Sequence, residues 1–152
     1  MNNYNLISIK RCAAEDYDAL VDVWRQSVLA SHHFLAKADF DEIEANLASA
    51  YFPAVELFGA MLGDRIVGFT GLSGDSIEML FVLPEYQGRG VGSALIDFAI
   101  GRGCRRVDVN EQNDAALRFY QRRGFAAVSR DDTDDAGRPY PIIHCRLTDS
   151  TL

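Results

Sequence analysis

The stretch from Ile77 to Ile96 constrains this chain more than any other. It opens on a short apolar run, Ile77 to Leu83, broken only by Glu78 and ended by Pro84. The residue before a proline is pushed to extended geometry, so the run reads as a buried strand. Val91, Leu95, Phe98 and Ala99 then share one face at helical spacing. Between strand and helix stand Gly88, Gly90 and Gly92. Glycine permits positive φ and lets a ligand approach bare backbone. A helix N-terminus adds unpaired N–H groups and partial positive charge, which together suit a phosphate or pyrophosphate. The plainer alternative is a glycine turn that only connects.

The spacing narrows the choice of anion. G-x-G-x-G is not the dinucleotide fingerprint G-x-G-x-x-G, and no Lys-Ser or Lys-Thr pair follows to make a P-loop. A nucleotide-binding module is therefore disfavoured. The stretch resembles the acyl-CoA loop of the GNAT (Gcn5-related N-acetyltransferase) family. That family's Gln/Arg-x-x-Gly-x-Gly/Ala pattern is matched by Gln87, Gly90 and Gly92, with Gly88 and Arg89 between. Its preceding strand is matched by Phe81-Val82-Leu83-Pro84-Glu85-Tyr86. A later segment resembles the family's Asn-x-x-Ala-x-x-Phe-Tyr-x-x-x-Gly-Phe through Asn113, Ala116, Phe119, Tyr120, Gly124 and Phe125.

The resemblance implies an N-acetyltransferase that moves the acetyl group of acetyl-CoA to a primary amine by direct attack in a ternary complex. Gln87, Gly88, Arg89, Gly90, Val91, Gly92 and Ser93 would cradle the pyrophosphate, mainly by backbone. Leu80, Phe81 and Val82 match the bulged family strand that holds the pantetheine arm, and a backbone N–H near Leu80 would face the oxyanion. Asn113 would support the acetyl or pantetheine end. Asn113 and Tyr120 lie two helical turns apart and face the same way. In many relatives a tyrosine at that place protonates the departing thiolate, and a phenol near pKa ~10 is a competent donor. Without the resemblance, a helix-face tyrosine is commonly core. Glu78, the only carboxylate on the strand, is the base candidate and is expected to be desolvated and raised in pKa. Its alternative is a strand-edge residue facing solvent. Trp24, His32, Phe34 and Tyr140 are candidates for the acceptor pocket. A non-catalytic acyl-CoA sensor is the alternative function; it would keep the loop but lose the acid or the base.

Composition sets the frame. The 152 residues are expected to form one domain spanning 1–152, with 48% hydrophobic and 24% charged residues typical of a soluble globule. A net charge of −7 argues against nucleic acid and suits a cationic acceptor, or plain solubility. Three cysteines without a C-x-x-C pair support neither zinc nor a disulfide framework. The adjacent His32 and His33 have no third ligand near them in sequence, so no metal is expected. No apolar run reaches the ~18 residues of a membrane span and no signal-peptide pattern opens the chain; the cysteine usage makes a reducing cytoplasm the expected compartment. Dimers are common in the GNAT family; the sequence leaves a homodimer open.

Along the chain, strands are expected at Tyr4 to Lys10, Glu56 to Leu62, Arg65 to Ser73, Ile77 to Val82, Cys104 to Val109, Phe125 to Ser129 and Ile142 to Leu147. Helices are expected after Ala14, after an Asp39/Glu42 capping-box pair, at the glycine loop, and after Asn113 as N-cap. Gly68 and Gly71 suggest a bulge or a close backbone approach. The order β-α-α-β-β-β-α-β-α-β-β gives an α/β fold: a mixed, mainly antiparallel sheet of about seven strands flanked by about four helices. That order also resembles the GNAT fold.

Overall fold

A computed structural model describes residues 6–148. The elements run β1 (Ser8–Arg11), α1 (Tyr17–Ser31), α2 (Lys37–Asn46), β2 (Glu56–Leu62), β3 (Arg65–Ser73), β4 (Ser76–Val82), α3 (Val91–Gly101), β5 (Arg106–Asn110), α4 (Asp114–Arg122), β6 (Phe125–Asp131) and β7 (Ile142–Leu147). The strands make one sheet in the order β1-β2-β3-β4-β5-β7-β6, antiparallel except where β4 meets β5. This is the expected mixed α/β architecture. Of the expected first strand, Tyr4 and Asn5 lie outside the described residues, and β1 itself begins only at Ser8.

Asp39 and Glu42 do not cap α2, whose N-cap is Ala36 with no side-chain bond. Both carboxylates turn instead to Arg138, and Asp39 also accepts from the Tyr140 hydroxyl. After Asn46 the chain passes through a π-helical turn, Leu47–Tyr51, and a 3-10 turn containing Pro53. β6 outruns its expected end at Ser129 because a bulge at Val128 absorbs one residue and leaves that side chain 63% exposed.

Two glycines show how closely the sheet packs. A Cβ on Gly68 would come within 2.9 Å of Val91 Cγ1 and 3.0 Å of the Phe81 carbonyl oxygen, so bare backbone lets α3 sit down on β3. A Cβ on Gly71 would meet Val55 at 2.9 Å.

The feature that makes a site is the parting of β4 and β5. They pair only through Ser76 with Arg106 and Ile77 with Val107. Immediately after, β4 carries one residue too many: Leu72 faces Ile77 and Gly71 faces Met79, leaving Glu78 as the extra residue. A bulge bends its strand and sharpens the twist, which carries β4 away from β5. The fully buried Thr70 donates its hydroxyl to the Met79 carbonyl at 2.7 Å, satisfying that carbonyl beside the disrupted ladder. One apolar cluster, with Leu20, Trp24, Phe52, Phe69 and Leu95, fills the β1–β4 side. A second, with Ile96, Val107, Tyr120, Phe125 and Cys145, is centred on the β5–β7 side.

Candidate active site

A cleft of about 670 Å³ opens where the two strands diverge, a volume suited to a sizeable small-molecule ligand. One wall is β4, from Ile77 to Val82; the facing wall is β5 with α4. Beyond Ile77, β4 has no strand partner on the β5 side, so its backbone edge there meets the cleft. Gln87, Gly88, Gly90, Gly92 and Ser93 line one part of the cleft, while Ser27, Ser31 and His32 reach it from the end of α1.

The glycine loop enters α3 through a left-handed residue. Gly90 is the N-cap with φ 86°, Gly88 has φ 76°, and no side chain caps the helix. The first turn of α3 therefore presents uncapped N–H groups, and Gly92 and Ser93 in that turn face the cleft. Val91 is 1% exposed and belongs to the core rather than to the cleft wall. The Arg89 guanidinium lies 5.5 Å from the centre of the Tyr86 ring, outside the cleft lining.

On the facing wall, the Asn113 side chain caps α4, its Oδ1 accepting from the Ala116 N–H at 3.1 Å. Tyr120 lies two turns on, 7% exposed, edge-on to Phe119 and Phe125, and lines the cleft. Its hydroxyl makes no hydrogen bond among the described residues, although buried tyrosines usually find a partner. Burial pushes the phenol well above its ordinary pKa, with Cys145 adding to the effect, so it stays protonated.

Glu78 sits on the bulge at the fork and lines the cleft, but its side chain is exposed rather than desolvated. The strand-edge alternative describes its placement better. The acceptor candidates divide. His32 lines the cleft. Trp24 is 4% exposed and stacks on Phe40 in the core. Phe34 and Tyr140 pack behind the cleft: Phe34 lies between the rings of His32 and Tyr140 at 5.2 and 6.0 Å, and the Tyr140 hydroxyl accepts from Ala36 N–H at 3.0 Å. They brace the α1–α2 loop against the segment before β7.

Sequence reasoning missed Asn110. Its Oδ1 is buried in the cleft wall with no hydrogen-bond partner among the described residues. The only signal was its place at the end of the β5 pattern, three residues before the N-cap Asn113. Ser27, Ser31 and Asp108 also line the cleft unforeseen. Among the described residues, no group of three or more His, Cys, Asp or Glu stands together to hold a metal, and no helix is long and apolar enough to cross a membrane.

A splayed β4–β5 pair, an uncapped glycine-led helix and a tyrosine unpartnered among the described residues thus surround one cleft of a mixed α/β fold. The model of the "Acetyltransferase (GNAT) family" matches residues 16–125, and the chain belongs to that family. It is 37% identical over 141 residues to the peptidyl-lysine N-acetyltransferase YjaB of Salmonella typhimurium, covering 91% of this chain and 97% of that protein. The solution structure of apo-form YjaB from Escherichia coli superposes with a TM-score of 0.86 at 37% identity, covering 93% of this chain and 97% of the other. The PaiA N-acetyltransferase from Thermoplasma acidophilum, solved in complex with coenzyme A, shares the fold with a TM-score of 0.70 at 20% identity, covering 91% and 97%. The chain is thus an N-acetyltransferase, from a family whose acyl donor is acetyl-CoA.

Proposed function

We propose that this protein acetylates lysine side chains of peptides or proteins, by direct attack of the amine on acetyl-CoA within one ternary complex. The observation that carries this reading is the shared cleft. It joins a helix N-terminus built for a pyrophosphate, an unpaired strand edge, and a buried tyrosine whose hydroxyl is free. The similarity to peptidyl-lysine acetyltransferases supports the acceptor class.

The residues present fit such a donor. The loop Gln87–Ser93 offers N–H groups to the pyrophosphate. The open edge of β4 from Leu80 to Val82 offers backbone partners to the pantetheine amides, as a strand edge does to an added strand. The orphaned Asn110 Oδ1 is an acceptor waiting for an N–H, since leaving it unpaired costs about 1–3 kcal/mol. A backbone N–H near Leu80 takes the charge that develops on the thioester oxygen. Tyr120 holds its proton until the sulfur departs and then gives it up. Glu78 and the net charge of −7 draw in a cationic lysine.

The test is CoA release and mass gain on a lysine peptide with purified protein and acetyl-CoA. Acetylation at the lysine side chain is expected. Tyr120→Phe should lower kcat by about 10²-fold or more while acetyl-CoA affinity stays close to wild type. Transfer to small amines but to no lysine peptide would overturn the acceptor class, and an unchanged kcat in the variant would remove the acid role.

A further inference from the structure

The cleft holds a second titratable group whose surroundings differ from those of Glu78. Ser31 ends α1, and its hydroxyl donates to the Ser27 carbonyl one turn back at 2.8 Å. That commits its proton, so the contact of 2.7 Å between Ser31 Oγ and His32 Nδ1 has the imidazole donating. On the other side of the ring, Asn113 has its Oδ1 spent on the Ala116 N–H, which turns Nδ2 toward His32 Nε2 at 3.5 Å. An amide N–H facing Nε2 requires a lone pair there. Two independent contacts thus select the same tautomer: Nδ1 protonated, Nε2 bare. The 3.5 Å contact is long and leaves that lone pair open to a better donor.

The setting also keeps the ring neutral. Burial lowers the His32 pKa below its ordinary value, and the adjacent His33 lowers it further. Phe34 stacks on the ring, and α4 presents the uncharged Asn113. Glu78, Asp108, Tyr120 and Arg122 are the other titratable groups that line the cleft. Tyr120 on the same cleft is pushed the opposite way. Two titratable groups whose environments drive them apart mark the acid and the base of a site. Tyr120 lines the same cleft as Asn113 and His32, two helical turns after Asn113 on α4.

We propose that His32 is the general base, its Nε2 taking a proton from the acceptor ammonium at the Asn113 end of the cleft; this rests on the acetyl-transfer reading above. The freed nitrogen lone pair forms the N–C bond, and the C–S bond breaks as the sulfur takes the Tyr120 proton. The nitrogen's second surplus proton returns to Tyr120, and His32 releases its own to water. Glu78, exposed at the fork, steers the cation.

The experiment compares wild type with His32→Gln, using a lysine peptide and the same peptide carrying a hydrazide, which is already neutral at the assay pH. The variant should bind acetyl-CoA within about twofold of wild type and lose about 10²-fold or more in kcat with lysine. With the hydrazide the loss should shrink to less than tenfold. Equal losses with both acceptors, or no loss with lysine, overturn the proposal. Nitrogen-15 spectra of the ligand-free protein give a readout independent of turnover. They should show Nδ1–H and bare Nε2 with a titration below ~6.5; the opposite tautomer overturns the proposal. A wild type inert toward lysine but active on the hydrazide would sink the lysine reading while leaving the tautomer to the spectra.

Discussion

At the scale of the residue, the glycine loop mixes two kinds of glycine that a sequence cannot tell apart. Gly90, at φ 86°, needs glycine for its backbone. Gly92 has an ordinary helical backbone, and an added Cβ would meet the Phe119 ring at 3.5 and 3.7 Å and Val82 Cγ2 at 3.9 Å, all ordinary contact. Nothing in the fold asks for glycine there; the open face of the cleft does. Gly92→Ala should therefore stabilise α3, by about 0.5–1 kcal/mol or a degree or more in Tm, while weakening acetyl-CoA binding at least tenfold. Gly90→Ala should instead cost about 1–2 kcal/mol through its left-handed backbone. Thermal unfolding with calorimetric titration separates the two, and wild-type affinity in Gly92→Ala would show that no ligand passes over it. Gly90 and Asn113 were legible because a left-handed turn and a helix N-cap demand those residue types, whereas Tyr120 was legible only through the family resemblance. The free oxygen of Asn110 was not, because only tertiary packing orphans it. Likewise, neither the burial of Trp24 nor the distant contacts that brace Phe34 and Tyr140 leave a trace in local spacing.

At the scale of the element, the outer strands carry a clamp that titrates. His144 on β7 places Nδ1 2.7 Å from Asp108 on β5 and Nε2 2.7 Å from Asp131 on β6. Both ring nitrogens donate only in the imidazolium, and the Asp108 and Asp131 bonds raise its pKa. The stabilisation is fully present below the unfolded value of ~6.5 and is lost as pH rises through the raised folded value. The two carboxylates are solvent-exposed although the ring is partly covered, so screening holds the clamp's worth to about 1 kcal/mol, or ~2–4 °C. His144→Gln should lower Tm by that much at pH 5.5 and by little at pH 9; a loss of equal size at both would mean the ring acts by packing alone. His32, with its lowered pKa, acts in the opposite sense and stays in the variant, so the difference isolates the clamp. Sequence patterning foresaw these strands well. The bounds expected for β2, β3 and β7 match, because alternation and turn residues are local signals. It failed at the start of α2, where Asp39 and Glu42 had the spacing of a capping box but were claimed by Arg138 and Tyr140, about a hundred residues away.

At the scale of the whole molecule, the sheet is narrowest where it matters most. Two register pairs join β4 to β5, and beyond them the second apolar cluster, which brings Phe58, Leu72 and Ile77 together with Val107, Phe125 and Cys145, carries the packing across that seam. The overall order of strands and helices was legible, but the depth of the seam was not, because it depends on a single extra residue at Glu78 and on where Thr70 sends its hydroxyl. A ligand filling the cleft would touch β4 and the first turn of α3 on one side and α4 with β5 on the other. It would therefore splice the two halves, and its binding energy would appear as cohesion between them. At about 100 times its dissociation constant a ligand adds roughly 2.7 kcal/mol, which in a chain of this size raises Tm by about 5–10 °C. Acetyl-CoA and CoA should give that shift, whereas ATP and NAD should not. Hydrogen exchange should slow together in α3, α4 and β5 and change little in β1 and β2, which lie on the far side of β3 from the cleft. Slowing confined to the α3 side would mean that the coenzyme rests on the glycine loop without reaching Tyr120. The tyrosine would then have no departing sulfur to protonate.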